Sequence, residues 1–268
     1  ALSNRGVAYS HLEEFKLAQQ DLLAAIEISP QHPLSRNQLG VIAEHHSGEY
    51  EEAAIWYRLA AAEGYPPRQA NLALLHLQGK GVDRDEELAF TLLSNALRQG
   101  YNLALTPLGE IHINTESPFY NVELGVELFQ KAAELADANA LYYLAQMYES
   151  GENLGRDAEA AFSHYERAAM AGHPEAQNWI GYRHRSGRGV PQDYTLAARW
   201  YELAAEQGHP QATNRLAWLL ATCPETLICD GERALSMILQ VYEVDGSAAV
   251  LDTLAAAYAR TGDFDKAV

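Results

Sequence analysis

SHYERAAMAGHPEA runs from Ser163 to Ala176, and 36 residues later the chain reads RWYELAAEQGHPQA, from Arg199 to Ala212. A near-copy at a fixed interval marks a repeat architecture, and the interval extends on both sides. A small residue recurs at Ala53, Ala89, Gly125, Ala161 and Ala197. Three positions on stand Trp56–Tyr57, Leu92–Leu93, Leu128–Phe129, His164–Tyr165 and Trp200–Tyr201. A helix stop follows at Gly64, Gly100, Ala136, Gly172 and Gly208. A second phase between these blocks holds Leu72–Ala73, Leu108–Gly109, Leu144–Ala145, Ile180–Gly181 and Leu216–Ala217. Each unit therefore carries two apolar helical segments, with small residues where helices approach and bulky ones beside them.

Within AARWYELAAEQG, the apolar residues Ala197, Trp200, Tyr201, Ala204 and Ala205 fall on one helical face. Gly208 then permits the left-handed turn past a helix end, and Pro210 discourages continuation. The expected fold is all-α, a right-handed α-solenoid of stacked antiparallel helix pairs. The connectors GKGVDRD (Gly79 to Asp85) and GRGVPQD (Gly187 to Asp193) match, and their glycines allow the turn. Asp85 and Asp193 stand where a helix N-cap acceptor is wanted, and GENLGRD (Gly151 to Asp157) does the same. INTESPFYN (Ile113 to Asn121) departs from the pattern, so an irregular connector is expected there.

The ends differ. NRGVAYSHLEEFKLAQQDLLAAIEISP (Asn4 to Pro30) places Gly6, Tyr9, Phe15, Ala18, Leu22, Ala25 and Pro30 at tetratricopeptide spacing. LDTLAAAYARTGDFDKA (Leu251 to Ala267) repeats that signature with Ala255, Tyr258, Phe264 and Ala267. The reading is one repeat domain over 1–268: a tetratricopeptide-type unit at 1–34, five units at 35–210, a long-loop unit at 211–246 and a partial unit at 247–268. The chain opens in mid-motif and stops inside a second helix, so a piece of a longer protein is expected.

Gly-x-Gly-Val-x-x-Asp-x-x-x-Ala-x-x-Trp-Tyr-x-x-Ala-Ala-x-x-Gly, from Gly187 to Gly208, resembles the Sel-1-like repeat, a tetratricopeptide sub-class with a longer inner turn. NRLAWLLATCPETLICDGERAL (Asn214 to Leu235) resembles a stretch common in bacterial repeat proteins. The resemblance implies an adaptor that binds a partner's peptide or domain. The alternative is a structural cell-envelope scaffold that self-associates or supports a secretion or polysaccharide machine. It also implies a bacterial protein, with periplasm or envelope favoured over cytoplasm.

In this family the first helix of each unit lines a concave face. Counting the repeat phase gives an inward row Asn37, Ala70, Thr106, Tyr142, Asn178, Asn214. The next rows are Val41, Leu74, Glu110, Gln146, Tyr182, Trp218 and Glu44, Leu77, Ile113, Glu149, Arg185, Ala221. The partner-binding set is expected in the C-terminal half: Tyr142, Gln146, Asn178, Tyr182, Arg185, Asn214 and Trp218. Amides can both donate to and accept from a peptide backbone, and Tyr, Trp and Arg dominate interface energetics. Only Arg185 and Arg215 come near as groove cations, so a chaperone-tail clamp is not expected.

Chemistry of other kinds is sparse. His45 and His46 are adjacent and point to different sides of a helix, unlike a metalloprotease pair. His173 and His209 share one turn position, which argues for a structural role, and His164 replaces a repeat aromatic. GKG at Gly79 lacks the Ser or Thr and the upstream glycine of a phosphate loop. No catalytic, cofactor or metal residues are assigned, and no enzyme is expected. Lys plus Arg number 19 against 36 Asp plus Glu, a net charge of −17. That charge disfavours nucleic acid; it is read first as a solvated acidic surface and otherwise as favouring basic partners. No apolar run reaches membrane-spanning length. Cys223 and Cys229 form either a loop disulfide, implying an oxidising compartment, or two reduced thiols.

Overall fold

A computed structural model describes residues 1–30, 32–222 and 229–267, and among these it contains fifteen α-helices and no strand. The chain divides into two compact units, Ala1–Ala132 and Ala133–Val268. In the first, α1 (Leu2–His11), α2 (Phe15–Ile28), α3 (Pro33–Ile42), α4 (Tyr50–Ala61), α5 (Pro66–Gln78), α6 (Glu86–Arg98) and α7 (Leu105–Ile113) lead into α8 (Val122–Glu134). The second continues with α9 (Ala138–Ser150), α10 (Ala158–Met170), α11 (Pro174–Ser186), α12 (Tyr194–Glu206), α13 (Pro210–Thr222), α14 (Gly231–Tyr242) and α15 (Ala248–Thr261). Sequential helices pack as pairs, α1 on α2, α3 on α4, α5 on α6, α9 on α10, α11 on α12 and α13 on α14. Each unit is thus a stack of antiparallel helix pairs, the α-solenoid class read from the repeat.

The repeat columns explain the packing. The second bulky residue of each pair, Tyr57, Leu93, Phe129, Tyr165 and Tyr201, is buried, as are Ala53, Ala89, Ala161 and Ala197. The small residues of the second phase make room for those rings. A Cβ built on Gly40 would lie 2.5 Å from the Tyr57 ring, on Gly109 2.6 Å from Phe129, and on Gly181 2.7 Å from Tyr201. Ring and glycine together set how closely the two helices of a unit approach. The helix stops adopt left-handed backbone at every position of their column, including Ala136 at φ 59° among four glycines.

The inner connectors close by a common device. The backbone N–H of Asp85 donates to the His76 carbonyl, and Asp157, Asp193 and Asp230 donate likewise to Tyr148, His184 and Leu220. The carboxylates of Asp85 and Asp193 then cap the next helix, accepting from the Leu88 and Leu196 amides at 2.8 Å. The irregular connector ends the same way. Asn121 donates its N–H to the His112 carbonyl at 2.9 Å, and its side chain accepts from Leu124 at 3.1 Å. It has the same length as the connectors that end at Asp85, Asp157 and Asp193, and its Phe119 stacks on Phe90 of α6 at 4.0 Å.

The turn histidines are caps. Nδ1 of His173 accepts from the Ala176 amide at 3.3 Å, and Nδ1 of His209 from Ala212 at 3.2 Å. Asp137 fills the same repeat position with a carboxylate that accepts from Ala140 at 2.9 Å. An accepting Nδ1 carries no proton, so these caps require neutral imidazoles. Burial holds His173 below its ordinary value, with Glu175 and Asp137 pulling the other way. His164 is held down too, by burial and then by Arg167, and stacks on Tyr148 at 5.5 Å. A lowered folded value means the contribution is complete above the unfolded value of 6.5 and is lost as pH falls through the folded one. Thermal melts should therefore show stability falling as the pH drops below the unfolded value of 6.5, and His173→Asp should make that loss smaller. An unchanged pH slope in that variant would refute the cap's part in it.

Candidate functional site

The expected partner face lies wholly in the Ala133–Val268 unit, on α9, α11 and α13. It falls into two groups. Tyr142 and Gln146 sit one turn apart on α9, and the Gln146 amide donates to the Tyr142 hydroxyl at 3.2 Å. The Tyr142 ring stacks on His173 at 4.1 Å and meets Tyr165 edge-on at 5.8 Å. The turn histidine that caps α11 thus also fixes Tyr142.

The second group is centred on Tyr182. Its ring packs against the buried cluster of α12, α13, α14 and α15 that includes Tyr201, Leu216, Ile238 and Val250. Three guanidinium groups surround it: Cζ of Arg185, Arg188 and Arg215 lies 5.7, 5.8 and 5.4 Å from the ring centroid. Arg215 also donates to the Asn178 side-chain carbonyl at 2.8 Å. Asn178 is buried, so its carbonyl positions Arg215 instead of facing solvent. Asn214 and Trp218 follow on α13, and Trp218 is 36% exposed. Arg185, Asn214, Arg215 and Trp218 form one wall of a cavity of about 360 Å³, whose opposite wall is Ala249, Asp252 and Thr253 on α15. Burial pushes the nearby Tyr201 hydroxyl up to about 12, against the opposing pull of Arg185 and Arg215.

Row counting left Arg215 outside the partner set, as a nearby cation only, and did not reach α15. Arg215 lies one residue past the Asn214 row, in the column of Trp179, whose ring stacks on Tyr165 at 4.1 Å. An aromatic in that column was the available signal. In the third row, charge is partly used internally: the Tyr165 hydroxyl donates to Glu149 at 2.7 Å, and Tyr57 donates to Glu44 at 2.7 Å. The adjacent histidines end a turn of π-helix, with His46 stacked on Phe15. The cysteine reading falls on Cys223, which lies outside the described residues. Among the described residues no three His, Cys, Asp or Glu groups could hold a metal ion, and no helix is long and apolar enough to cross a membrane.

Antiparallel helix pairs stacked at a 36-residue interval, with polar and aromatic side chains on the first-helix face, define a helical-repeat protein of tetratricopeptide-like type. The Sel1 repeat model matches residues 38–65, 69–101, 117–137, 138–173 and 174–209, more than half of the chain, and the chain belongs to the Sel1 repeat family. A Sel1 repeat protein from Oxalobacter formigenes superposes with a TM-score of 0.72 at 23% identity, over 91% of this chain and 100% of that one. A protective antigen of uropathogenic Escherichia coli with an SLR fold gives a TM-score of 0.58 at 26% identity, over 97% of this chain and 56% of the other. Anaphase-promoting complex subunit 6 of Arabidopsis thaliana is 33% identical over 112 residues, 38% of this chain, which spans only 20% of that relative's length.

Proposed function

We propose that this chain is a protein-binding adaptor that takes a partner's peptide or domain on the α9–α11–α13 face. The observation that carries the reading is the open cavity where Trp218, Arg185, Asn214 and Arg215 meet across from α15. It combines a half-open aromatic with fixed polar donors, the side-chain set that most often anchors a partner. The Sel1 repeat fold serves such interactions generally, and one relative is by name a subunit of a multiprotein complex.

The test is affinity capture from the source organism with the immobilised chain. Trp218→Ala should weaken partner capture by about 2 kcal/mol or more, roughly thirtyfold, with unchanged helicity. Met170→Ala should leave capture intact, because Met170, though 66% exposed, lies on the second helix of its pair. Equal capture by the wild type and the Trp218 variant would defeat the assignment.

A further inference from the structure

Arg185, Arg188 and Arg215 crowd one ring in a chain where 36 acidic residues outnumber 19 basic ones. Among the described residues Arg5, Arg36, Arg84 and Arg233 each pair with a carboxylate. None of the three around Tyr182 forms an ion pair among the described residues. Arg185 Nε is moreover buried without a hydrogen-bond partner. Three like charges held together repel, and planar guanidinium forks with spare N–H groups suit oxygen anions.

We infer that the cavity between α13 and α15 takes the carboxylates of an acidic peptide segment, so the partner region is rich in Asp or Glu. The inference rests on the adaptor reading and names the partner's chemistry. It is the opposite of what the net charge of −17 suggests, because two arginines, Arg185 and Arg215, line the cavity against one carboxylate, Asp252. Two features select a carboxylate over a phosphate. Asp252 stands in the facing wall and repels a dianion more strongly than a monoanion. Trp218 and Ala249 line the same space, giving an apolar surface beside the charge that a peptide side chain can cover.

The experiment measures fluorescence anisotropy of short fluorescein-labelled peptides of alternating glutamate and leucine against the full chain. Counterparts carry glutamine or lysine in place of glutamate. The glutamate peptide should bind saturably and weaken as salt is raised, and the glutamine and lysine peptides should bind about tenfold more weakly or worse. Arg185→Gln, Arg215→Gln and Arg188→Gln should each weaken the glutamate peptide, the first two by about tenfold, while Asp252→Asn should tighten it. Arg188 is exposed and outside any helix, so its variant keeps the test valid should the others perturb folding. Failure of the glutamate peptide to bind, equal binding of glutamate and glutamine peptides, or displacement by equimolar inorganic phosphate would each overturn the inference. If that happens while Trp218→Ala still loses the captured partner, the adaptor face stands and only the acidic chemistry falls. If Trp218→Ala captures normally as well, both fall.

Discussion

Gly81→Ala is expected to destabilise the Ala1–Ala132 unit by about 3 kcal/mol. Gly81 sits at φ +67°, and a Cβ there would lie 2.2 Å from the Tyr50 carbonyl carbon and 2.4 Å from the Glu51 nitrogen. The left-handed conformation alone costs alanine about 1 kcal/mol. The collision adds an overpacking cost of about 1–3 kcal/mol, because the struck atoms are backbone at the start of α4 and cannot rotate away. Gly79→Ala provides the comparison. Gly79 has φ +64°, but the nearest atom to its Cβ is 3.6 Å away on Arg84, so only the conformational cost of about 1 kcal/mol remains. Urea denaturation of the two variants measures the difference. Equal midpoints would mean that the GKG connector does not seat on α4 as described.

Tyr57 carries the second large effect. The ring is fully buried over Gly40, so Tyr57→Ala should cost about 3–5 kcal/mol through loss of burial and the cavity left behind. The hydroxyl is a separate matter. It donates to Glu44 at 2.7 Å, a hydrogen bond to a charged acceptor worth about 1.5–3 kcal/mol. Glu44→Leu should lose most of that, whereas Glu44→Leu combined with Tyr57→Phe should recover much of it. The register shows why: the same two positions hold Leu77 with Leu93 and Ile113 with Phe129, apolar on both sides. A double-mutant cycle should yield a coupling of about 1 kcal/mol or more. Simple additivity would show that the pair contributes nothing as a pair.

The same comparison shows where residues could be read directly. A 36-residue interval places Tyr57, Leu93, Phe129, Tyr165 and Tyr201 in one column, and all five are core. The caps at Asp85, Asp157 and Asp193, and the structural role of His173 and His209, followed from position within the unit, because a cap acts over three residues of its own chain. The irregular connector was visible as a departure, but its ending was not. Asn121 recovers the common closure because an amide oxygen can accept as a carboxylate does.

The surroundings of the proposed partner face were legible only in outline. Counting rows found Tyr182, Arg185, Asn214 and Trp218, which the structure gathers around one ring and one cavity. It also placed Asn178 in the partner set, whereas that amide is buried and holds Arg215. It named Arg215 only as a nearby cation outside the partner set, and it did not reach the α15 wall. Overall charge pointed to basic partners, while the unpaired arginines of this cavity point to acidic ones.

The sequence by itself determined the helix pairs, their caps and the buried column, because each depends on periodicity and on contacts a few residues apart. Only the tertiary structure decided which charges are already satisfied, as at Tyr165 and Glu149, and which remain open beside Trp218. That difference follows from distance. Whether two side chains from separate helices meet depends on the rotation and spacing of those helices, which the packing of rings against small residues sets at the level of ångströms.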